Sequence, residues 1–134
     1  MNVWLALLLE DHVHRGAAKK WWDADRSDVI GFLRFTQVSV LRLLTTPAAM
    51  NGHPRTMSAA WAAYDRLFAD DRVALVAEPE GVEACFREYA CADRASPKLW
   101  ADAWLLAFAE TAAGAVITFD RALAARSRRG RLLT

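Results

Sequence analysis

The 134-residue chain is 54% hydrophobic and 25% charged, with 17 Lys and Arg against 16 Asp and Glu, a formal net charge of +1. That balance excludes a polybasic nucleic-acid-coating protein and an acidic disordered chain, and 6 Gly with 4 Pro exclude fibrous and low-complexity classes. The length is that of one domain with one substantial core, expected to span residues 1–134, and 6 Trp argue for a well-packed interior.

In chain order, residues 2–9 read as a buried helix. The apolar run Val3 to Leu9 is too short to cross a bilayer, and it lacks the basic flank and cleavage site of a signal peptide. A reducing cytoplasm is therefore the expected location, with Cys85 and Cys91 as small, partly buried apolar residues, not a CxxC pair. Residues 13–23 predict an amphipathic surface helix, and Asp25 to Asp28 a polar break. Val29 to Phe35 reads as a largely apolar strand of the kind a covered parallel sheet uses. Thr36 is placed to cap a helix from Gln37 to Thr45, stopped at Pro47.

A turn at Asn51 to Pro54 precedes an amphipathic helix that starts at Thr56 or Ser58 and runs through Trp61, Tyr64, Leu67 and Phe68. Arg72 to Val76 is a second strand, and Glu83 to Ala92 another helix. Ser96 and Pro97 have the order of an N-cap and first helical residue for a helix from Lys98 to Ala113, with Gly114 as its C-terminal cap. Ala115 to Phe119 is a third strand, Arg121 to Ser127 a last helix, and Arg131 to Leu133 a final edge strand. Strands alternating with helices predict an α/β domain with a mostly parallel sheet.

Two acids stand in apolar settings. Asp102 is the lone charge between Leu99 and Ala109, and a carboxylate there is costly to bury unless it is paired or binds a cation. Its structural alternative is to face water or pair with a Lys or Arg. Asp120 follows an apolar strand at its carboxyl end, where α/β sheets gather ligands, and it is equally placed to N-cap the next helix. A right-handed crossover can bring both acids to one rim. Converging carboxylates suit Mg2+ or Mn2+.

Three segments carry a resemblance: NVWLALLLEDHVHRGAAKKWW, FTQVSVLRLLTTP and SPKLWADAWLLAFAETAAGAVITFDRAL. In this order they resemble PIN-domain ribonucleases of the VapC toxin type, over essentially the whole chain. The DAWLLAFA…G…ITFDRAL block is the specific part. The resemblance implies a three-layer α/β/α fold and an Mg2+- or Mn2+-dependent endoribonuclease leaving 5′-phosphate and 3′-hydroxyl ends. It also implies a cognate VapB-type antitoxin and a homodimer, with no membrane partner. It assigns Asp102 and Asp120 as catalytic metal ligands, with Thr118 and Asn2 in support.

Two departures from the pattern matter. The first acid of the family's opening D-x-N motif falls one position before Met1, and the strand that carries it is missing too. Met1 is accordingly read as an internal methionine of that motif. With two acids alone, a site would hold metal weakly and little nuclease activity is expected. The second departure is Arg42, which stands where many relatives carry Glu; it is a candidate phosphate ligand or a structural ion-pair partner.

The weaker signals divide between function and structure. Glu10 to His14 contains a His-x-His spacing poor for metal on a helix and matches a surface loop. Arg121, Arg126, Arg128, Arg129 and Arg131 form a basic tail, read as an RNA-backbone guide, a solvated face or an antitoxin contact. Trp61, Trp100 and Trp104 are expected in the core or a dimer interface. The reading from a different class is an inactive PIN remnant that binds antitoxin or itself.

Overall fold

The computed structural model describes residues 2–134, so Met1 and its motif reading lie outside them. The described residues fall into two compact units, the first ending at Ala77 and the second running Glu78–Thr134. The first unit holds α1 (Asn2–Leu8), α2 (Arg15–Ala24), β1 (Ile30–Phe32), α3 (Arg34–Leu44), α4 (Met57–Leu67) and β2 (Val73–Leu75). The second holds α5 (Val82–Tyr89), α6 (Leu99–Thr111), β3 (Ile117–Thr118), α7 (Arg121–Arg126) and β4 (Arg131–Leu132). Each unit carries one parallel strand pair, β1 with β2 and β3 with β4. The α/β class and parallel pairing expected from the sequence are therefore present. Among the described residues no helix is long and apolar enough to cross a membrane.

In the first unit the core is aromatic. Phe32 is fully buried on β1 and stacks on Trp4 of α1 with ring centroids 3.9 Å apart, while Tyr64 meets it edge-on and Phe68 stacks farther off. The strand pair runs in register Ile30 to Val73, Gly31 to Ala74 and Phe32 to Leu75. A Cβ at Gly31 would sit 2.9 Å from Cγ2 of Val76, so a larger residue there would have to displace the Val76 side chain. β1 is shorter than expected because the chain enters α3 at Arg34. Thr36 is accordingly no cap: it is buried in the first turn with Gln37, Val40 and Leu44 on the same helical face. Thr56 does cap α4, its side chain accepting the Ala59 amide.

Arg72 fastens α2 to the start of β2. Its Nε and Nη2 donate to both carboxylate oxygens of Asp70, at 3.0 and 2.7 Å, and its Nη1 donates to the carbonyls of Trp22 and Asp25. The guanidinium also lies 4.9 Å from the Trp22 ring centroid, a cation–π distance. Hydrogen bonds from Arg72 hold the Asp70 carboxyl at about 2, against an ordinary value of 3.8. Folding therefore favours the ionised form, and the unfolded chain binds the extra proton between those values. The stabilisation is complete above pH 4 and is lost as pH falls from there towards 2. Urea midpoints at pH 5 and pH 3 should drop more for the natural chain than for Asp70→Asn.

In the second unit α5 and α6 pack through Phe86, which meets Trp104 edge-on at 5.3 Å, backed by buried Ala103, Leu106 and Ala107. Two expectations for α6 change. Ser96 does not cap it; its carbonyl instead accepts the Leu99 amide in a lead-in turn, and the helix starts at Leu99. At the other end Gly114 is not the left-handed residue. Ala113 is, with φ +55°, and the amides of Gly114 and Ala113 bond back to the carbonyls of Ala109 and Glu110 in a Schellman pattern. An L-residue is strained there, so Ala113→Gly should raise stability by about 0.5–1 kcal/mol, measurable by thermal denaturation. Gly114→Ala should be near neutral, because its Cβ would lie 3.7 Å from the Ala109 oxygen.

The expectation that Trp61 and Trp100 sit in a core does not hold within this chain: they are 46% and 60% exposed. Trp4 and Trp21 are the buried tryptophans, and Trp104 is half-buried. Both cysteines are free; Cys85 is half-buried, and Cys91 is exposed, not partly buried.

Candidate functional site

The short strand β3 ends where Thr118 turns inward. Thr118 is 2% exposed, and its Oγ1 accepts the Asp120 amide at 2.9 Å, a hydroxyl turn that halts strand pairing. The strand is thus shorter than Ala115 to Phe119. Asp120 stands exposed at its carboxyl end and N-caps α7, Oδ1 accepting the Leu123 amide at 3.0 Å. Both alternatives read for this acid hold together: strand-end position and helix cap. Oδ1 is thereby committed to the backbone, and Oδ2 has no hydrogen-bond partner among the described residues.

Asp102 lies on α6 in the same unit. Because the helix begins at Leu99, Asp102 is in the first turn, not the second, where a carboxylate interacts favourably with the helix dipole. It is half-buried. None of the ion pairs or side-chain hydrogen bonds among the described residues involves it, so the Lys or Arg partnership that would make it structural is not formed.

Thr118 and Asp120 are joined directly, whereas no hydrogen bond links either to Asp102. Arg121, the first residue of α7, is exposed beside Asp120 in sequence. Asn2, half-buried at the start of α1, and Arg42, exposed in the last turn of α3, belong to the first unit. Arg42 forms no ion pair among the described residues, so the structural alternative for it is unrealised.

Hard carboxylate oxygens are the donors Mg2+ and Mn2+ prefer. Asp102 and Asp120 match such an ion in kind and fall short in number. Among the described residues no three His, Cys, Asp or Glu side chains come together to hold a metal. The Glu10 to His14 segment is no exception. It is a turn in which His12 Nδ1 accepts the His14 amide, and burial first, then the His14 charge, lowers the His12 pKa.

The basic tail resolves into anchors and free cations. Arg126 donates to the Tyr89 carbonyl, Arg129 to the Ala113 carbonyl, and Arg128 pairs with Glu110 at 3.0 Å. Glu110 also accepts the Tyr89 hydroxyl, which raises the Tyr89 pKa. Among the described residues Arg121 and Arg131 have no such side-chain contact, so the tail offers fewer cations to a backbone phosphate than its five arginines suggest. Sequence reasoning missed Glu110 and Tyr89 as the acceptors. Only the i to i+8 spacing of Asp102 and Glu110 hinted at a second acid on α6.

Comparison with known proteins extends this picture. The family model described as PIN domain matches residues 1–128. Two curated relatives, each named Ribonuclease VapC41 and from Mycobacterium tuberculosis strains CDC 1551 / Oshkosh and ATCC 25618 / H37Rv, are 44% identical to the chain over 126 residues. The alignments cover 90% of this chain and 86% of each relative.

Proposed function

The chain belongs to the PIN-domain family, and from that premise we propose that it is a VapC-type endoribonuclease toxin whose carboxylates Asp102 and Asp120 serve hydrolysis of RNA phosphodiester bonds. The observation that carries the reading is the TFDR turn. Thr118 holds the Asp120 backbone amide, and the Leu123 amide of α7 holds one oxygen of the Asp120 carboxylate, leaving the other without a hydrogen bond among the described residues at a strand end. A group held this way needs no reorganisation before it acts. Asp102 complements it as a half-buried acid without an ion-pair or side-chain hydrogen-bond partner among the described residues.

Mg2+ or Mn2+ is the proposed cofactor, with Asp102 and Asp120 among its ligands; when bound, such a cation counters the charge that develops on a phosphoryl group. Asn2 is given a supporting role by the family resemblance, and Arg42 and Arg121 are cations for the RNA backbone. The partners proposed with this function are a VapB-type antitoxin and a second copy of the chain, in the cytoplasm, within one PIN domain comprising both units.

The second reading, an inactive remnant that binds antitoxin, is favoured by one observation: among the described residues no three His, Cys, Asp or Glu side chains come together. Incubating the natural gene product with total RNA in Mg2+ or Mn2+, with and without EDTA, tests the proposal. EDTA-sensitive fragments with 5′-phosphates are expected. Intact RNA in either metal, from protein that still captures its antitoxin, would overturn the toxin reading in favour of the remnant.

A further inference from the structure

Asp102 and Asp120 stand at the N-terminal ends of α6 and α7, and the C-terminal ends of the same two helices are tied together. Glu110, in the last turn of α6, is the centre of the tie. Its Oε2 accepts the Tyr89 hydroxyl from α5, and its Oε1 pairs with Arg128, just past α7, at 3.0 Å. Arg126 adds a bond from the end of α7 to the Tyr89 carbonyl, and Arg129 one to the Ala113 carbonyl. The chain then turns at Gly130, where a Cβ would lie 2.5 Å from the Ala124 carbonyl oxygen and 2.9 Å from the Ser127 Cβ. Beyond that turn the Arg131 amide donates to the Val116 carbonyl and the Leu133 amide to the Thr118 carbonyl, both at 2.8 Å, as β4 pairs with β3. Among the described residues β3 has no other strand partner. The strand that presents Thr118 and Asp120 is therefore held by a segment that Glu110 anchors.

We propose that Glu110 is a positioning residue: through Arg128 and Tyr89 it fixes α7 and β4, and with them the Thr118–Asp120 turn relative to Asp102. It touches no reacting group, because it lies about 12 Å along α6 from Asp102 at a rise of about 1.5 Å per residue. Arg128 is 82% exposed, so its pair with Glu110 adds little to global stability. What the pair decides is where the two acids stand, and a misplacement of about 1 Å in such a site can cost about 100-fold in rate. The link to RNA cleavage rests on the ribonuclease reading; the holding of the turn does not.

The test compares Glu110→Ala, Arg128→Ala and Arg128→Lys with the natural chain. The readouts are hydrogen exchange at the Asp120 and Leu123 amides, the urea midpoint, and kcat and KM for a short RNA in Mn2+. Glu110→Ala should speed exchange at those two amides about 10-fold, with the buried Leu106 and Ala107 of α6 and the urea midpoint nearly unchanged. Its kcat should fall about 10-fold with KM held to within about 2-fold. Arg128→Ala should do the same more mildly, and Arg128→Lys, which keeps a charged donor, should restore most of the loss. An arginine that only attracted RNA would move KM and its salt dependence instead.

Natural exchange at Asp120 and Leu123 in Glu110→Ala would sink the proposal. So would exchange that rises there only in step with every other amide, which makes Glu110 a general stabiliser. A raised KM at constant kcat in Arg128→Ala would also overturn it, by turning Arg128 into a phosphate contact. If the natural chain cuts no RNA, the ribonuclease reading falls by itself, and exchange at the turn still decides whether Glu110 holds it.

Discussion

Asp102→Asn in the natural gene product should lower RNA cleavage by at least about 100-fold and abolish growth arrest on expression, while leaving the fold intact. The side chain makes no hydrogen bond or ion pair among the described residues, so the amide breaks no contact. The fold loses only the interaction of a first-turn charge with the α6 dipole, about 0.3–1 kcal/mol. A structural acid behaves in the opposite way. Removing one partner of a buried pair costs several kcal/mol and takes activity down with the folded fraction. Cleavage assays beside urea denaturation separate the two: activity lost at nearly constant stability places the effect at the chemistry. Full activity would remove Asp102 from the site.

The reasons some features were legible in the sequence and others were not are physical. Apolar periodicity and turn residues located all four strands and the helices between them, because these signals are local. Their ends were set by tertiary contacts. β1 stops at Phe32 because Thr36 and Gln37 are drawn into the core on the α3 face, where two polar residues read as a boundary. The cap of α6 shifted by one residue because the 6→1 and 5→2 bonds place the left-handed residue at Ala113 regardless of the glycine that follows.

Side-chain partners were the least legible. Arg72 reaches carbonyls at Trp22 and Asp25, and Arg126 reaches that of Tyr89, across gaps that no spacing rule covers. Asp102 and Asp120 stood out for a simpler reason: a charge in an apolar run is conspicuous in one dimension.

Asp120 carries two roles, and two substitutions should pull them apart. Asp120→Asn keeps an oxygen that can accept the Leu123 amide, and Asn caps helices as well as Asp does. It removes the charge and the second carboxylate oxygen. Stability should therefore hold to within about 0.5 kcal/mol while cleavage falls at least about 100-fold. Asp120→Ala removes the cap as well, so it should be equally inactive and about 1 kcal/mol less stable, a shift of roughly 2–8 °C in Tm. Thr118→Val serves as the control for the turn alone. It removes the hydroxyl that accepts the partly buried Asp120 amide, costing about 0.5–1.5 kcal/mol, yet keeps both carboxylates. If activity in the folded fraction follows stability across all three variants, Asp120 is a helix cap and nothing more. If Asp120→Asn is dead and stable while Thr118→Val is weakened and active, the oxygen turned away from α7 is the one that does the chemistry.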